Sequence, residues 1–200
     1  IPTPADATVA KAKITTTLIN EHVDTVITAS DSILFSDATD SNANKKDTVQ
    51  GILDLAGVAN TCFHVSTNAN QLNQTGNGTH YTVVWNTEIF DQSGSFASNT
   101  FTAPVTGRYL LLAMVTLAGI TAAADSYQIN LITSNKNYTE GFGETNGYGT
   151  QVVTSINLIA DMDAADTVTV TVRVTGESGD VVDIQDGTYG ATEFSGCLLA

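Results

Sequence analysis

The run FTAPVTGRYLLLAMVTL, residues 101–117, limits the choice of fold more than any other stretch of the chain. It opens on turn residues and then becomes apolar at nearly every position. Successive side chains of a β-strand point to opposite faces, so a strand that covers one core and meets water on its back should alternate. Here Tyr109, Leu111, Ala113, Val115 and Leu117 form one face, and Leu110, Leu112, Met114 and Thr116 form the other. The run is too short for a membrane helix, which needs about 20 apolar residues. TVTVTVRV, residues 167–174, behaves differently: Val168, Val170, Val172 and Val174 oppose Thr167, Thr169, Thr171 and Arg173, as expected of a strand with one wet face. The last run, EFSGCLLA, is again apolar on both sides, with Phe194 and Leu198 opposing Cys197 and Leu199. One sheet is therefore expected to have a solvated back and another an apolar back. A large apolar back marks an interface. With no helix legible in residues 62–200 to cover it, the expected cover is another copy of the chain.

From residue 62 onward the pattern is β throughout. Short runs rich in Val, Ile, Thr and aromatic residues, separated by Gly, Asn, Asp and Ser, fall at 62–67, 81–91, 100–103, 107–118, 126–135, 150–160, 166–175, 181–185 and 192–200. That many short strands predict an all-β, two-sheet jelly-roll sandwich.

Residues 1–60 differ in character. They carry four lysines and eight acidic residues, against three basic and thirteen acidic residues in 61–200. Residues 1–13 hold two of the three prolines and read as an extended arm. Residues 14–27 suit a strand or a short helix. SILFSD, residues 32–37, predicts a short strand and DATDSNANKK, residues 37–46, a polar turn. DTVQGILDLAG, residues 47–57, predicts one short helix capped by Asp47 and ended at Gly57, with Val49, Ile52, Leu53 and Leu55 as its apolar positions. The core available to this small, partly extended region is slight, so it is expected to lean on partner chains. The expected organisation is an N-terminal arm and attachment module over 1–60 and a jelly-roll domain over 61–200.

The net charge of −14, with no basic cluster, argues against nucleic acid and anionic lipid as partners. No apolar stretch is long enough for membrane insertion. Catalytic patterns are lacking. His22, His64 and His80 are far apart in the sequence, and Ser195 sits in a terminal strand without a nucleophile elbow. GFGETNGYG, residues 141–149, has the glycines of a phosphate loop but neither the Gly-Lys-Ser/Thr nor the following helix, so it reads as a surface loop. DMDAAD, residues 161–166, places Asp166 where a calcium loop of the EF-hand type needs Gly and Val172 where it needs Glu; a solvated turn is expected. Asp180, Asp183 and Asp186 form a further acidic run with no ligand pattern. Asn73, Asn77 and Asn137 lie in Asn-x-Thr sequons, which matter only for a chain secreted by a eukaryote. No enzyme activity and no cofactor are expected.

The order of these elements resembles the complement C1q-like and tumour-necrosis-factor-like jelly roll. Phe101, Pro104, Gly107, Tyr109 and Leu111 match its G-x-F-x-x-P-x-x-G-x-Y-x-F pattern in part, with Leu111 in place of an aromatic. Asp166 and Val168 match its G-D-x-V turn, with Ala165 replacing Gly. Phe194, Ser195, Gly196, Leu198 and Leu199 match its F-S-G-x-L-L ending. The resemblance covers about residues 62–200. It implies a compact homotrimer in which the sheet holding the 107–118 strand and the final strand surrounds a threefold axis. On that basis Leu110, Leu112 and Met114 are expected at the trimer interface, with Phe194 and Leu198 also turned toward neighbouring chains and Val153 and Ser155 beside them. Tyr109, Leu111, Ala113 and Val115 are expected in the core. The resemblance also makes neighbours of the first and last strands, so a Cys62–Cys197 disulfide becomes possible; two buried thiols are the reading preferred from the residues alone.

DSILFSDATDSNANKKDTVQGIL is similar to a segment of tail, fibre and appendage proteins of tailed bacteriophages. Together the two resemblances imply a virion structural protein: a trimeric fibre, knob or decoration subunit on the virion surface. It would be attached to other virion proteins through its N-terminal region and would present its loops to a host surface glycan or protein. A secreted, extracellular C1q-like recognition protein is the alternative.

Overall fold

The computed structural model describes residues 28, 30–37, 43–49, 51–52, 61–143, 150–187 and 192–199. The expected arm, the 14–27 segment, the end of the expected helix and most of the glycine-rich loop lie outside the described residues. The chain divides into two compact units, residues 1–56 and 57–200.

In the first unit, β1 (Ser32–Asp37) pairs antiparallel with β2 (Ala43–Thr48), from Ser32 opposite Thr48 to Asp37 opposite Ala43. The strand expected over SILFSD is present. Part of the expected polar turn is strand instead, because pairing with β1 satisfies the backbone of Ala43–Thr48, and tertiary pairing outweighs local turn preference. The strand also moves the helix start. Thr48, not Asp47, is the cap: its Oγ1 accepts the Gly51 N–H at 3.0 Å, and Val49, Gly51 and Ile52 are helical.

The second unit is a sandwich of two antiparallel sheets. The seven-stranded sheet holds β3 (Cys62–Ser66), β4 (Gln71–Thr75), β6 (Thr87–Asp91), β9 (Gly107–Ala118), β12 (Gln151–Met162), β14 (Val182–Ile184) and β15 (Glu193–Leu198). The six-stranded sheet holds β5 (His80–Thr82), β7 (Phe96–Ala97), β8 (Thr100–Thr102), β10 (Ser126–Thr133), β11 (Asn137–Gly143) and β13 (Thr167–Thr175). β9 is the axis of the first sheet. β12 runs along one side of it over its whole length, and β15 and then β14 pair with its other side. β3 lies outside β15, with β6 beyond it. The first and last strands of the sandwich are thus adjacent.

Three strands were not legible in the sequence. β4 (QLNQT) is polar, β11 (NYTEGFG) is broken by glycines, and β7 has two residues. The run 81–91 is also two strands in different sheets. The crossover between them is held by Gln71, whose side-chain Nε2 donates to the Val84 carbonyl at 2.9 Å and whose Oε1 accepts the Val84 N–H at 3.0 Å.

The core lies between the sheets. The four valines of β13 are all fully buried in it; on the other side Thr167, Thr169 and Arg173 are half-buried, and Thr171, expected to meet water, is buried and accepts from Asn130 Nδ2 at 3.1 Å. Tyr109, Leu111, Ala113, Val115 and Leu117 face them from β9 with at most 1% exposure, as their parity predicts. Phe63 stacks on Phe101 at 4.5 Å and meets Phe194 edge-on at 4.9 Å, with Phe96 and Trp85 closing the cluster. Tyr109 is buried, but its hydroxyl donates to the Val105 carbonyl at 2.7 Å, so the buried oxygen is satisfied. Burial pushes the ionisation of Tyr109 above the ordinary range.

Candidate functional site

The outward face of the seven-stranded sheet is built by cross-strand register. Ile159, Leu110, Cys197 and Cys62 form one row across β12, β9, β15 and β3. Asn157, Leu112, Ser195, His64 and Phe90 form the next, ending on β6. Ser155, Met114, Glu193 and Ser66 form the third. Directly opposed side chains are close enough to act as one surface. Val153 continues the apolar edge on β12, opposite Thr116.

Leu112 is 38% exposed, Val153 55% and Ile159 57%, while Leu110 and Met114 are half-buried and Ser155 is exposed. A cluster of large apolar side chains open to water in this way is unusual for a chain that works alone. Leu110, Leu112, Met114, Val153 and Ser155, expected at a trimer interface, share this outward face. Ile159 lies on it too, and QVVTSINLIADM carries the signal: Val153, Ser155, Asn157 and Ile159 share one parity. His64 and Phe90 have no such signal, because no local pattern tells which face of β3 and β6 is outward.

Phe194 and Leu198 are a correction. Phe194 is opposite Ala113 and Leu198 opposite Tyr109, both core residues, so both side chains point into the sandwich. Phe194 is fully buried, and Leu198 packs partly buried against the core. The reason is register: β15 pairs with β9 so that Glu193, Ser195 and Cys197 take the outward positions. Gly196 takes an inward position. A Cβ there would lie 2.7 Å from a Phe63 ring carbon and 2.9 Å from Leu111 Cδ2, so the Phe-Ser-Gly ending places its bulky residue and its smallest one side by side in the core.

Cys62 and Cys197 are directly opposite, with Cα atoms 4.2 Å apart, and form a disulfide across 135 residues of sequence. The bridge sits on the outward face next to Leu110, in place of the two buried thiols preferred from the residues alone. Near it His64 Nε2 is 3.4 Å from Glu193 Oε2, an ion pair when the imidazole is protonated. The His64 ring meets Phe90 edge-on at 5.9 Å.

The acidic turn after β12 is tied down by protein donors. Asp166 accepts from Ser134 Oγ at 2.7 Å, from the Asp163 N–H at 2.8 Å and from Asn135 Nδ2 at 2.6 Å. These bonds, led by that from Ser134, hold its carboxyl below the usual range. Ala165 beside it has a φ of 74°, in the left-handed region. Among the described residues no three His, Cys, Asp or Glu are grouped to hold a metal ion, and no helix is long and apolar enough to cross a membrane.

No family model and no curated protein matches the chain. Among solved structures, the globular domain of zebrafish complement 1qA protein is similar, with 17% identity and a TM-score of 0.50 over 70% of this chain and 98% of that one. Together with the two sheets described above, this shows the expected all-β, C1q-like jelly-roll fold.

Proposed function

We propose that this chain is a non-enzymatic structural and interaction protein that works as a homotrimer, with the outward face of the seven-stranded sheet as the contact between copies. The observation that carries the reading is the cluster of Leu110, Leu112, Met114, Val153 and Ile159 on one outward face, with Leu112, Val153 and Ile159 exposed among the described residues. Fully burying an exposed side chain of this kind gains about 1.5–3 kcal/mol; these, already partly covered, each gain a part of that, and the sum over three copies works against the cost of association. Within this reading the chain is a fibre, knob or decoration subunit of a virus particle. Residues 1–60 attach it to other virion proteins, and its loops meet a host glycan or protein. That placement is supported by the bacteriophage-like N-terminal segment. Light scattering on the full chain after size-exclusion chromatography tests the trimer: the expected mass is about three times the 20.9 kDa chain, and a stable monomer would refute it.

A second reading fits the disulfide equally well. Disulfides persist in oxidising surroundings, which fits a secreted recognition protein of a cell. Negative-stain imaging of particles decorated with antibody to the chain distinguishes the two: label on virions supports the first, and label absent from every particle the second.

A further inference from the structure

We propose that protonation of His64 sets how tightly copies of this chain hold together, through its pair with Glu193. The inference rests on the trimer reading and adds its regulation. The His64 side chain is 28% exposed and that of Glu193 46%, with 3.4 Å between Nε2 and Oε2. Both belong to the rows that carry the apolar cluster. Glu193 is opposite Met114, and Ser195, between Leu112 and His64, joins the pair to the centre of the face. A copy that covers Leu112 and Met114 therefore also covers the Glu193 carboxylate.

Among the described residues the charged group that register sets beside His64 on this face is the Glu193 carboxylate on β15. On β6 the neighbour opposite His64 is Phe90, while Glu88 and Asp91 oppose the core residues Val65 and Phe63, and Asp91 accepts the Phe96 N–H at 2.8 Å. β9 offers Leu112 at this level. Arg108 and Asp161 oppose each other beyond Leu110 and Ile159, on the far side of that row. His80, the other histidine among the described residues, lies on β5 of the other sheet. An imidazolium neutralises Glu193 and a neutral imidazole does not. Removing an unpaired carboxylate from water costs far more than removing a paired one. The assembled state then holds more protons than the free chain, so association tightens as pH falls through the histidine range.

The test is sedimentation of the full chain between pH 8.5 and 5.5 at constant ionic strength, for wild type, His64→Gln and Glu193→Gln. For wild type the concentration at half-assembly should fall about ten-fold or more from pH 8 to pH 6, as expected for one proton taken up per chain. The other carboxylates of this −14 chain give a background that both variants retain, so the difference between wild type and variants is the readout. Both variants should lose most of the change. If the assembly does not dissociate, exchange of subunits between two labelled populations should be about ten-fold slower at pH 6 than at pH 8. PH-independent assembly of wild type, or an unchanged dependence in both variants, overturns this inference and leaves the trimer standing. A monomer at every pH overturns both.

Discussion

Leu112 on β9 lies directly opposite Ser195 on β15, and both point away from the core. That pairing decides two things at once. It places Leu112 on the outer surface, and it sends Phe194, one residue before Ser195, into the sandwich.

A charge at Leu112 should therefore abolish self-association without unfolding the chain. Leu112→Asp should elute as a monomer and keep the β circular-dichroism spectrum, with a loss of stability of the isolated domain below about 1 kcal/mol, as for exposed positions. A folded Leu112→Asp trimer would show that this face is not the contact.

Phe194→Ala should do the reverse. It removes a fully buried ring that touches Phe63, Trp85 and Phe96, at a cost of about 3–5 kcal/mol, read as a lower urea midpoint at unchanged m-value. Gly196→Ala should cost about 1–3 kcal/mol by overpacking, since Phe63 and Leu111 leave no space for a methyl group.

The Cys62–Cys197 bridge closes nearly the whole jelly roll. In the chain-entropy description a loop of this length contributes up to about 5 kcal/mol, and measured values are commonly 2–4 kcal/mol. The purified chain should show no free thiol toward a thiol reagent under denaturing conditions without reductant. Cys62→Ser with Cys197→Ser should lower the urea midpoint to that of the reduced wild type. Two titratable thiols in the unreduced chain would show that the bridge does not form.

The lowered carboxyl of Asp166 gives a contribution to stability with a definite sign. A folded-state value below the unfolded one means that the contribution is complete above the unfolded value, near 3.8, and is lost as pH falls through the folded value. Asp166→Asn should flatten the acid limb of the stability profile below about pH 5, and Ser134→Ala should flatten part of it, because the Ser134 bond is the leading cause of the shift.

Ala165 holds a left-handed backbone that costs a residue with a Cβ about 1–2 kcal/mol relative to an ordinary conformation. Ala165→Gly should raise stability by about 0.5–1 kcal/mol after the greater freedom of glycine in the unfolded chain is subtracted. Thermal unfolding of the two proteins side by side measures it.

The sequence by itself determined the class of fold, the axis strand and its two faces. Side-chain parity is a local property, so Tyr109 and Leu111 separate from Leu110, Leu112 and Met114 before any neighbour is known, and the resemblance to the C1q-like pattern implies which set is the core. Ala165, where the C1q-like turn pattern has glycine, was equally legible, and its left-handed backbone explains why glycine suits that place. Only the tertiary structure decided which face of the final strand is which. EFSGCLLA is apolar on both sides, and a slip of one residue exchanges every side chain between faces; pairing with β9 settled it, placing Phe194 inside and Cys197 outside. Pairing likewise made strands of polar QLNQT and glycine-broken NYTEGFG, whose backbone bonds come from neighbours far away in sequence. The Cys62–Cys197 bridge and the His64–Glu193 pair belong to the same category: each joins residues more than 120 positions apart, which become neighbours only when the last strand closes beside the first.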